Sequence, residues 1–148
     1  MLKTINASIL LFAGLVISRL LPLPDNSEPL LGLAVLTPYL TKSNLAFLYP
    51  LGIMFVSDMF LGFGSWILFT YTALALAPFI SKAIDNKYIA LGCSWLVWHV
   101  LANIGQTYAP FTAESLIFDI RLLVSGLSVV VMYDLMRRVW LIPSRKVY

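Results

Sequence analysis

The sequence predicts an all-α integral membrane protein with about six transmembrane helices and both termini in the cytoplasm. Composition is the first reason. Hydrophobic residues make up 60% of the chain, charged residues only 11%, and the mean hydropathy is +0.89, a balance that few soluble domains of this length could tolerate. The 148 residues leave room for about six spans of roughly 20 residues joined by short loops. Residues 1–148 are therefore expected to form a single polytopic membrane domain.

The second reason is that basic and acidic residues alternate between successive turns. One set of turns carries eight basic and two acidic residues, a net charge of +6, and the other carries two basic and five acidic residues, a net charge of −3. Because Lys and Arg are retained in short cytoplasmic loops, the basic set is predicted to lie inside and the acidic set outside. The inner basic residues are Lys3, Lys42, Lys82, Lys87, Arg137, Arg138, Arg145 and Lys146, and the outer charges are Asp25, Glu28, Asp58, Glu114, Asp119, Arg19 and Arg121.

Six apolar stretches are the predicted spans. The first, residues 4–21, is expected to be retained, because Ser18-Arg19 stands where a signal peptide would need a small-residue cleavage site. The second, residues 30–40, is too short to cross about 30 Å at 1.5 Å per residue and carries Pro38, so a short or broken helix is expected. The remaining spans are expected at residues 44–60, 65–80, 88–106 and 114–141.

No motif in the chain indicates an enzyme, because it has neither a Gly-rich phosphate loop nor paired metal-ligand spacing. ATP binding, a metal site and a nucleic acid partner are not expected, and the basic pI follows from the topology. Cys93 is the only cysteine, so a disulfide framework is excluded. A single histidine in a span, His99, is weak evidence for a haem or pigment ligand, so no intrinsic cofactor is expected. The expected partners are the lipid bilayer and other membrane subunits.

The fifth predicted helix carries a polar stripe. His99, Asn103 and Gln106 are spaced i, i+4 and i+7 and therefore share one face. Trp95 lies one turn before His99, and Tyr108 lies in the loop that follows. Polar side chains within a span are costly and point to a functional site. Two interpretations stay open: helix packing through bonds to neighbouring backbone, or contact with a ligand.

Charged residues also fall near the outer ends of three predicted spans. Asp58 ends the third span, Arg19 ends the first, and Asp119 and Arg121 lie in the opening turns of the last. Opposite charges at one depth commonly form structural ion pairs that make burial tolerable. Arg19, Asp119 and Arg121 are predicted to form such pairs, and Asp58 is also a candidate ligand contact.

Small residues recur at a spacing of four, as Gly14 with Ser18 and Ala73 with Ala77. This spacing lets helices approach closely. The two pairs are candidates for helix docking, either within the chain or against another subunit.

Several short motifs follow one another along the chain. They are Ser18-Arg19-Leu20-Leu21-Pro22, Pro50-Leu51, Ser57-Asp58, Leu61-Gly62-Phe63, Asn103-Ile104-Gly105 and Tyr108-Ala109-Pro110. Their order resembles the substrate-binding (S) components of energy-coupling factor vitamin transporters and uncharacterised bacterial membrane proteins related to them. The chain departs from these proteins in lacking the Ala-x-x-x-Ala pattern on its first helix and in its short second helix.

The resemblance implies six helices, an outer ligand pocket walled by the later helices, and a face in the first half that docks to a coupling subunit. The candidate ligand contacts in the corresponding regions are Asp58, His99, Asn103, Gln106 and Tyr108, and the polar stripe adds Trp95. The chain is thus expected to take part in uptake of a vitamin-like small molecule across a bacterial inner membrane. The alternative is a non-catalytic accessory subunit of a larger bioenergetic or photosynthetic membrane complex that reuses the same scaffold.

Overall fold

The computed structural model describes residues 15–21, 27–41, 45, 47–105 and 111–140, and this part of the chain is all-α. Its six helices confirm the predicted number, and the described part contains no strand. The helices are α1, described over residues 15–20, α2 (Leu30–Leu40), α3 (Leu48–Leu61), α4 (Ile67–Ala83), α5 (Lys87–Gly105) and α6 (Ala113–Trp140).

Two of these helices are long and apolar enough to cross a membrane. They are α5, over Lys87–Gly105, and α6, over Ala113–Arg138. The apolar helices α2, α3 and α4 are shorter, with 11, 14 and 17 residues, or roughly 16 to 26 Å at 1.5 Å per residue. Length and composition therefore support a membrane protein, and the six-span topology stays a prediction.

The short helix α2 lies at the centre of the bundle. Ten of its eleven residues are buried, and it packs against α3, α4, α5 and α6. A helix that is apolar on all sides is expected to be buried in this way. It is short, as predicted, but continuous through Pro38. The hydroxyl of Thr37 donates to the carbonyl oxygen of Ala34 at 2.8 Å, which satisfies the acceptor that proline, having no N–H, leaves free.

The helices α2 and α6 cross with their backbones in close contact. A β-carbon on Gly32 would lie 2.5 Å from the carbonyl oxygen of Gly126 and 2.8 Å from its Cα, so no larger residue fits at this crossing. The sequence analysis did not single out this pair. It did single out Ala73 and Ala77, both fully buried on α4, where they serve packing within the chain.

Pairs of contacts give the directions of the helices. Gly32 lies against Gly126 and Tyr39 against Tyr133, so α2 and α6 run parallel. His99 contacts Asp119, whereas Lys87 contacts Asp134, so α5 and α6 run antiparallel.

The bundle consequently has two ends of different charge. The acidic end holds the last turns of α1, α3 and α5 and the first turns of α2, α4 and α6, and the basic end holds the opposite ends of α2 to α6. The described charges of the acidic end are Arg19, Glu28, Asp58, Glu114, Asp119 and Arg121, and those of the basic end are Lys82, Asp85, Lys87, Asp134, Arg137 and Arg138.

At the basic end, Asp134 joins α5 to α6. Its carboxylate lies 2.9 Å from the Lys87 ammonium and 3.9 Å from the Arg137 guanidinium, and it accepts a hydrogen bond of 2.6 Å from the Tyr88 hydroxyl. We call these four residues the Asp134 network. Lys87 also lies 5.9 Å from the centre of the Tyr39 ring, which brings α2 into the same group.

Candidate functional site

A buried arginine organises the first polar group at the acidic end. Arg19 lies at the end of α1 with its side chain 7% exposed, 3.0 Å from the Glu28 carboxylate and 2.9 Å from the Asp58 carboxylate. Its guanidinium also donates to the Ser57 hydroxyl at 2.6 Å and to the Met54 carbonyl oxygen at 3.2 Å. One side chain therefore joins α1 to α3 and to the segment before α2.

Two further hydroxyls extend this group to α4 and α6. The Tyr71 hydroxyl donates to Oδ2 of Asp58 at 2.9 Å, and the Ser125 hydroxyl donates to the backbone carbonyl of Glu28 at 2.7 Å. We call Arg19, Glu28, Ser57, Asp58 and Tyr71 the Arg19 network. The formal charge of this network is −1. Its ion pairs and hydrogen bonds compensate for burying charged groups in an apolar bundle.

The second polar group at this end is built around Asp119, which is 3% exposed on α6. Oδ2 of Asp119 lies 2.6 Å from Nδ1 of His99 and 3.3 Å from Nδ2 of Asn103. A carboxylate accepts hydrogen bonds, and a donor at Nδ1 of His99 would complement it. Nδ2 of Asn103 also donates to the backbone carbonyl of His99 at 2.7 Å. We call these three residues the Asp119 network; it joins α5 to α6.

Two aromatic rings pack against the imidazole of His99, which belongs to the Asp119 network. The Trp95 indole stacks on the His99 imidazole, with ring centres 5.8 Å apart and planes 16° apart, and the Phe111 ring meets His99 edge-on at 5.7 Å. Nε1 of Trp95 donates to the backbone carbonyl of Asp119 at 2.5 Å. We call Trp95, His99 and Phe111 the aromatic platform.

Phe111 is held in an uncommon backbone conformation, with φ at 61°. This left-handed region is sparsely populated by residues other than glycine. Its N–H donates to Oδ1 of Asn103 at 2.9 Å, so the buried amide fixes the chain where α6 is about to begin. Asn103 thus donates to the Asp119 carboxylate and accepts from the backbone of Phe111, whose ring belongs to the platform.

One polar atom of the platform is not used by the fold. In the part of the chain that the structure describes, Nδ1 of His99 is bonded to Asp119, and Nε2 makes no hydrogen bond. The His99 side chain is 17% exposed. In the neutral imidazole this Nε2 accepts a hydrogen bond, and in the imidazolium it donates one.

Two buried groups on α5 also lack partners. Oγ of Ser94 and Nε1 of Trp98 make no hydrogen bond among the described residues, and these residues are 0% and 6% exposed. They are one turn apart and share a face. An unsatisfied buried donor costs about 1–3 kcal/mol, so both groups would gain from an acceptor.

The structure separates Arg121 from the ion pairs predicted for it. Arg121 is exposed, and its guanidinium lies 5.4 Å from the centre of the Phe118 ring. Residues two apart on a helix are about 200° apart around its axis, so Asp119 faces the core while Arg121 faces outward. The prediction of an ion pair for Arg121 is therefore not met among the described residues.

The remaining candidates are placed as follows. Arg19 and Asp58 share one network, and His99, Asn103 and Asp119 share the other, with Trp95 on the platform. The Ser18 hydroxyl donates to the backbone carbonyl of Leu15 at 2.7 Å. Gly14, Gln106 and Tyr108 lie outside the described residues.

Four residues of these groups were not candidates from the sequence. Tyr71 lies next to Thr70 on an apolar helix, and that polar pair was the available signal. Glu28 was counted only as an outer charge, and Ser57 only as part of a motif. Phe111 gave no signal, because its role depends on a backbone conformation.

Among the described residues, no group of three or more His, Cys, Asp or Glu is arranged to hold a metal ion.

The fold and these networks define an all-α protein of apolar helices with buried polar groups concentrated at one end. The chain belongs to DUF6580, a family of unknown function, whose family model matches residues 2–133. No curated protein and no solved structure matches the chain.

Proposed function

We propose that the chain is an integral protein of a bacterial inner membrane, with six spans, both termini in the cytoplasm and the acidic end outside. The charge division between the two ends supports this orientation. Large apolar side chains exposed on the helices support membrane residence, among them Phe60 at 73%, Leu68 at 71% and Met59 at 63%. In water such a surface would favour aggregation.

We further propose that the acidic end binds a vitamin-like small molecule, as an S component of an energy-coupling factor transporter does. The single observation that carries this proposal is Nε2 of His99, which makes no hydrogen bond among the described residues, on an imidazole that packs against the rings of Trp95 and Phe111. Ligand sites combine aromatic surface with a few polar atoms that set orientation. The Asp119 network holds the imidazole in place and leaves one ring nitrogen for the ligand.

This arrangement favours a planar ligand that carries a hydrogen-bonding group. Its ring would stack on the aromatic platform, and its polar atom would bond to Nε2 of His99. The chain has no ATP-binding motif, so release of the ligand inward would need energy from separate subunits. Catalysis is not part of the proposal.

The test is saturable binding of a panel of radiolabelled vitamins to detergent-purified protein. We expect one ligand to bind and Trp95→Leu to weaken it about tenfold, a loss of roughly 1.4 kcal/mol. Trp66→Leu is the matched control, because Trp66 is 53% exposed at the start of α4 and lies outside the platform. It should leave the affinity unchanged.

A second variant separates loss of binding from loss of fold. His99→Gln keeps a donor for Asp119 and removes the ring that bears Nε2, so binding should fall while the purified protein still melts cooperatively. The proposal is wrong if no vitamin in the panel binds, or if Trp66→Leu weakens binding as much as Trp95→Leu.

The alternative proposal is an accessory subunit of a larger membrane complex. The observation that favours it is the surface of α6, which packs mainly on α2 and α5 and exposes apolar side chains along most of its length, from Ile117 at 53% to Leu135 at 56%. The test is purification in mild detergent, where such a subunit should stay with a large complex. Clean separation as a single small protein would exclude this role.

A further inference from the structure

Arg121 is a charge among apolar neighbours on α6, and the exposed Glu114 lies two turns away on the same face. The exposed apolar neighbours of Arg121 on α6 are Ile117 at 53%, Ile120 at 42% and Val124 at 59%. Within the described residues, the Arg121 guanidinium makes no ion pair. By contrast, Arg19, Lys87 and Arg137 each lie within 4.0 Å of a carboxylate.

The direction of the Arg121 side chain is set by Phe118. The guanidinium lies 5.4 Å from the centre of that ring, which stands one turn closer to the start of α6. The charge is therefore directed toward the acidic end of the bundle. Arginines in lipid lay the aliphatic part of the side chain on apolar surface and direct the guanidinium toward the membrane interface. Arg121 has this arrangement.

The position of Arg121 along α6 indicates how far its guanidinium lies from the acidic end of the bundle. Arg121 is seven residues after Glu114, or about 10 Å at 1.5 Å per residue. An arginine side chain reaches most of that distance, so the guanidinium comes close to the level of Glu114 in the first turn of α6. That level is the outer interface in the proposed orientation.

We propose that Arg121 and Phe118 form a docking site for an outer-leaflet phospholipid, with the guanidinium bonded to the phosphate group. The chemistry is complementary: a guanidinium binds phosphate oxygens through two parallel N–H groups. The apolar residues below, Ile117 and Val124, would lie along the acyl chains. This inference goes beyond ligand binding and rests only on the membrane residence proposed above.

The test places the protein in vesicles of dioleoyl phosphatidylcholine that contain a trace of photoactivatable phosphatidylcholine. Labelled peptides are then quantified by mass spectrometry. We expect labelling within residues 116–124 to exceed that by a photoactivatable diacylglycerol, which has the same chains and no phosphate. Arg121→Gln should lower this excess about fivefold, and Arg121→Lys should retain part of it. Arg138→Gln, which removes an exposed arginine at the other end of α6, should leave it unchanged.

Three results would overturn the inference. The first is equal labelling by the two probes in the wild-type protein. The second is an unchanged excess in Arg121→Gln. The third is loss of a co-purifying membrane subunit from Arg121→Gln while lipid labelling persists, because the partner would then be a protein carboxylate. Carbonate extraction of the wild-type protein, done separately, tests membrane residence itself.

Discussion

The two aspartates that join α5 to α6, one at each end of the bundle, are held by different partners. At the basic end, Asp134 is 19% exposed and is surrounded by permanent cations, Lys87 and Arg137. At the acidic end, the side chain of Asp119 is 4% exposed and is held by an imidazole and an amide. Both aspartates join α5 to α6, about 22 Å apart along one helix.

This difference affects how strongly the contacts at each end stabilise the bundle. Permanent opposite charges orient and anchor a helix pair, and the solvent that reaches their 12–19% exposed side chains reduces what each pair contributes. Buried groups that depend on each other's hydrogen bonds hold several helices in one arrangement, and losing one partner leaves the others unsatisfied. The acidic end is therefore where single substitutions should cost most and where a ligand would meet a preformed surface.

The largest effect should come from Arg19. Arg19→Met removes the charge shared by Glu28 and Asp58, and we expect it to lower the free energy of unfolding by about 3–5 kcal/mol. The control at the basic end is Arg137→Met, which loses a contact of 3.9 Å with Asp134 and the packing of the guanidinium 5.4 Å from the centre of the Tyr133 ring, and it should cost less than about 1 kcal/mol. SDS titration of protein in mixed micelles, followed by circular dichroism, measures both. Equal losses would show that the two ends do not differ as described.

The second effect compares the two aspartates directly. Asp119→Ala removes the acceptor of His99 and Asn103, and we expect a loss of about 2–3 kcal/mol. Asp134→Ala frees Lys87 and Tyr88, which can turn to solvent, so about 1 kcal/mol is expected. Thermal melting in one detergent gives the order of the two variants. A lower melting temperature for Asp134→Ala would reverse the comparison.

A smaller effect tells whether Asp119 needs a hydrogen bond or a cation. His99→Gln retains an N–H donor without any positive charge, and we expect it to cost about 1 kcal/mol. His99→Phe retains the ring and loses the donor, so about 2 kcal/mol is expected. The free energies of unfolding of His99→Gln and His99→Phe at neutral pH show whether the donor or the charge matters. If Gln is as costly as Phe, the network depends on the imidazolium charge.

The helices could largely be predicted from the sequence, and the exceptions have physical causes. Residues 30–40 were predicted and observed as a helix, because Pro29 and Lys42 bracket the apolar run. The third helix was predicted to begin at residue 44 and begins at Leu48. Pro50 then lies in the first turn, where a missing N–H costs nothing.

The candidate site could be predicted only in part. Spacing places His99 and Asn103 on one face, and in the structure Nδ2 of Asn103 lies 3.2 Å from Nδ1 of His99. Spacing alone cannot say which way α6 is rotated against α5, and that rotation turns Asp119 inward and Arg121 outward. The contact between Gly32 and Gly126 depends likewise on a crossing of two helices distant in sequence, for which one sequence contains no local signal.

The last comparison tests whether burial or hydrogen-bond length explains why contacts at the two ends differ in strength. Tyr71 and Tyr88 each donate one hydrogen bond to an aspartate, at 2.9 Å to Asp58 and at 2.6 Å to Asp134. Distance alone would make Tyr88→Phe the more costly change. Tyr88 is 41% exposed, however, and Tyr71 is half-buried within the Arg19 network. A hydrogen bond to a charged group is stronger where water does not compete for it. We therefore expect Tyr71→Phe to cost about 1.5 kcal/mol and Tyr88→Phe about 0.5 kcal/mol, measured by SDS unfolding of both variants in one detergent. The opposite order would mean that bond length, and not burial, sets the strength of these two contacts.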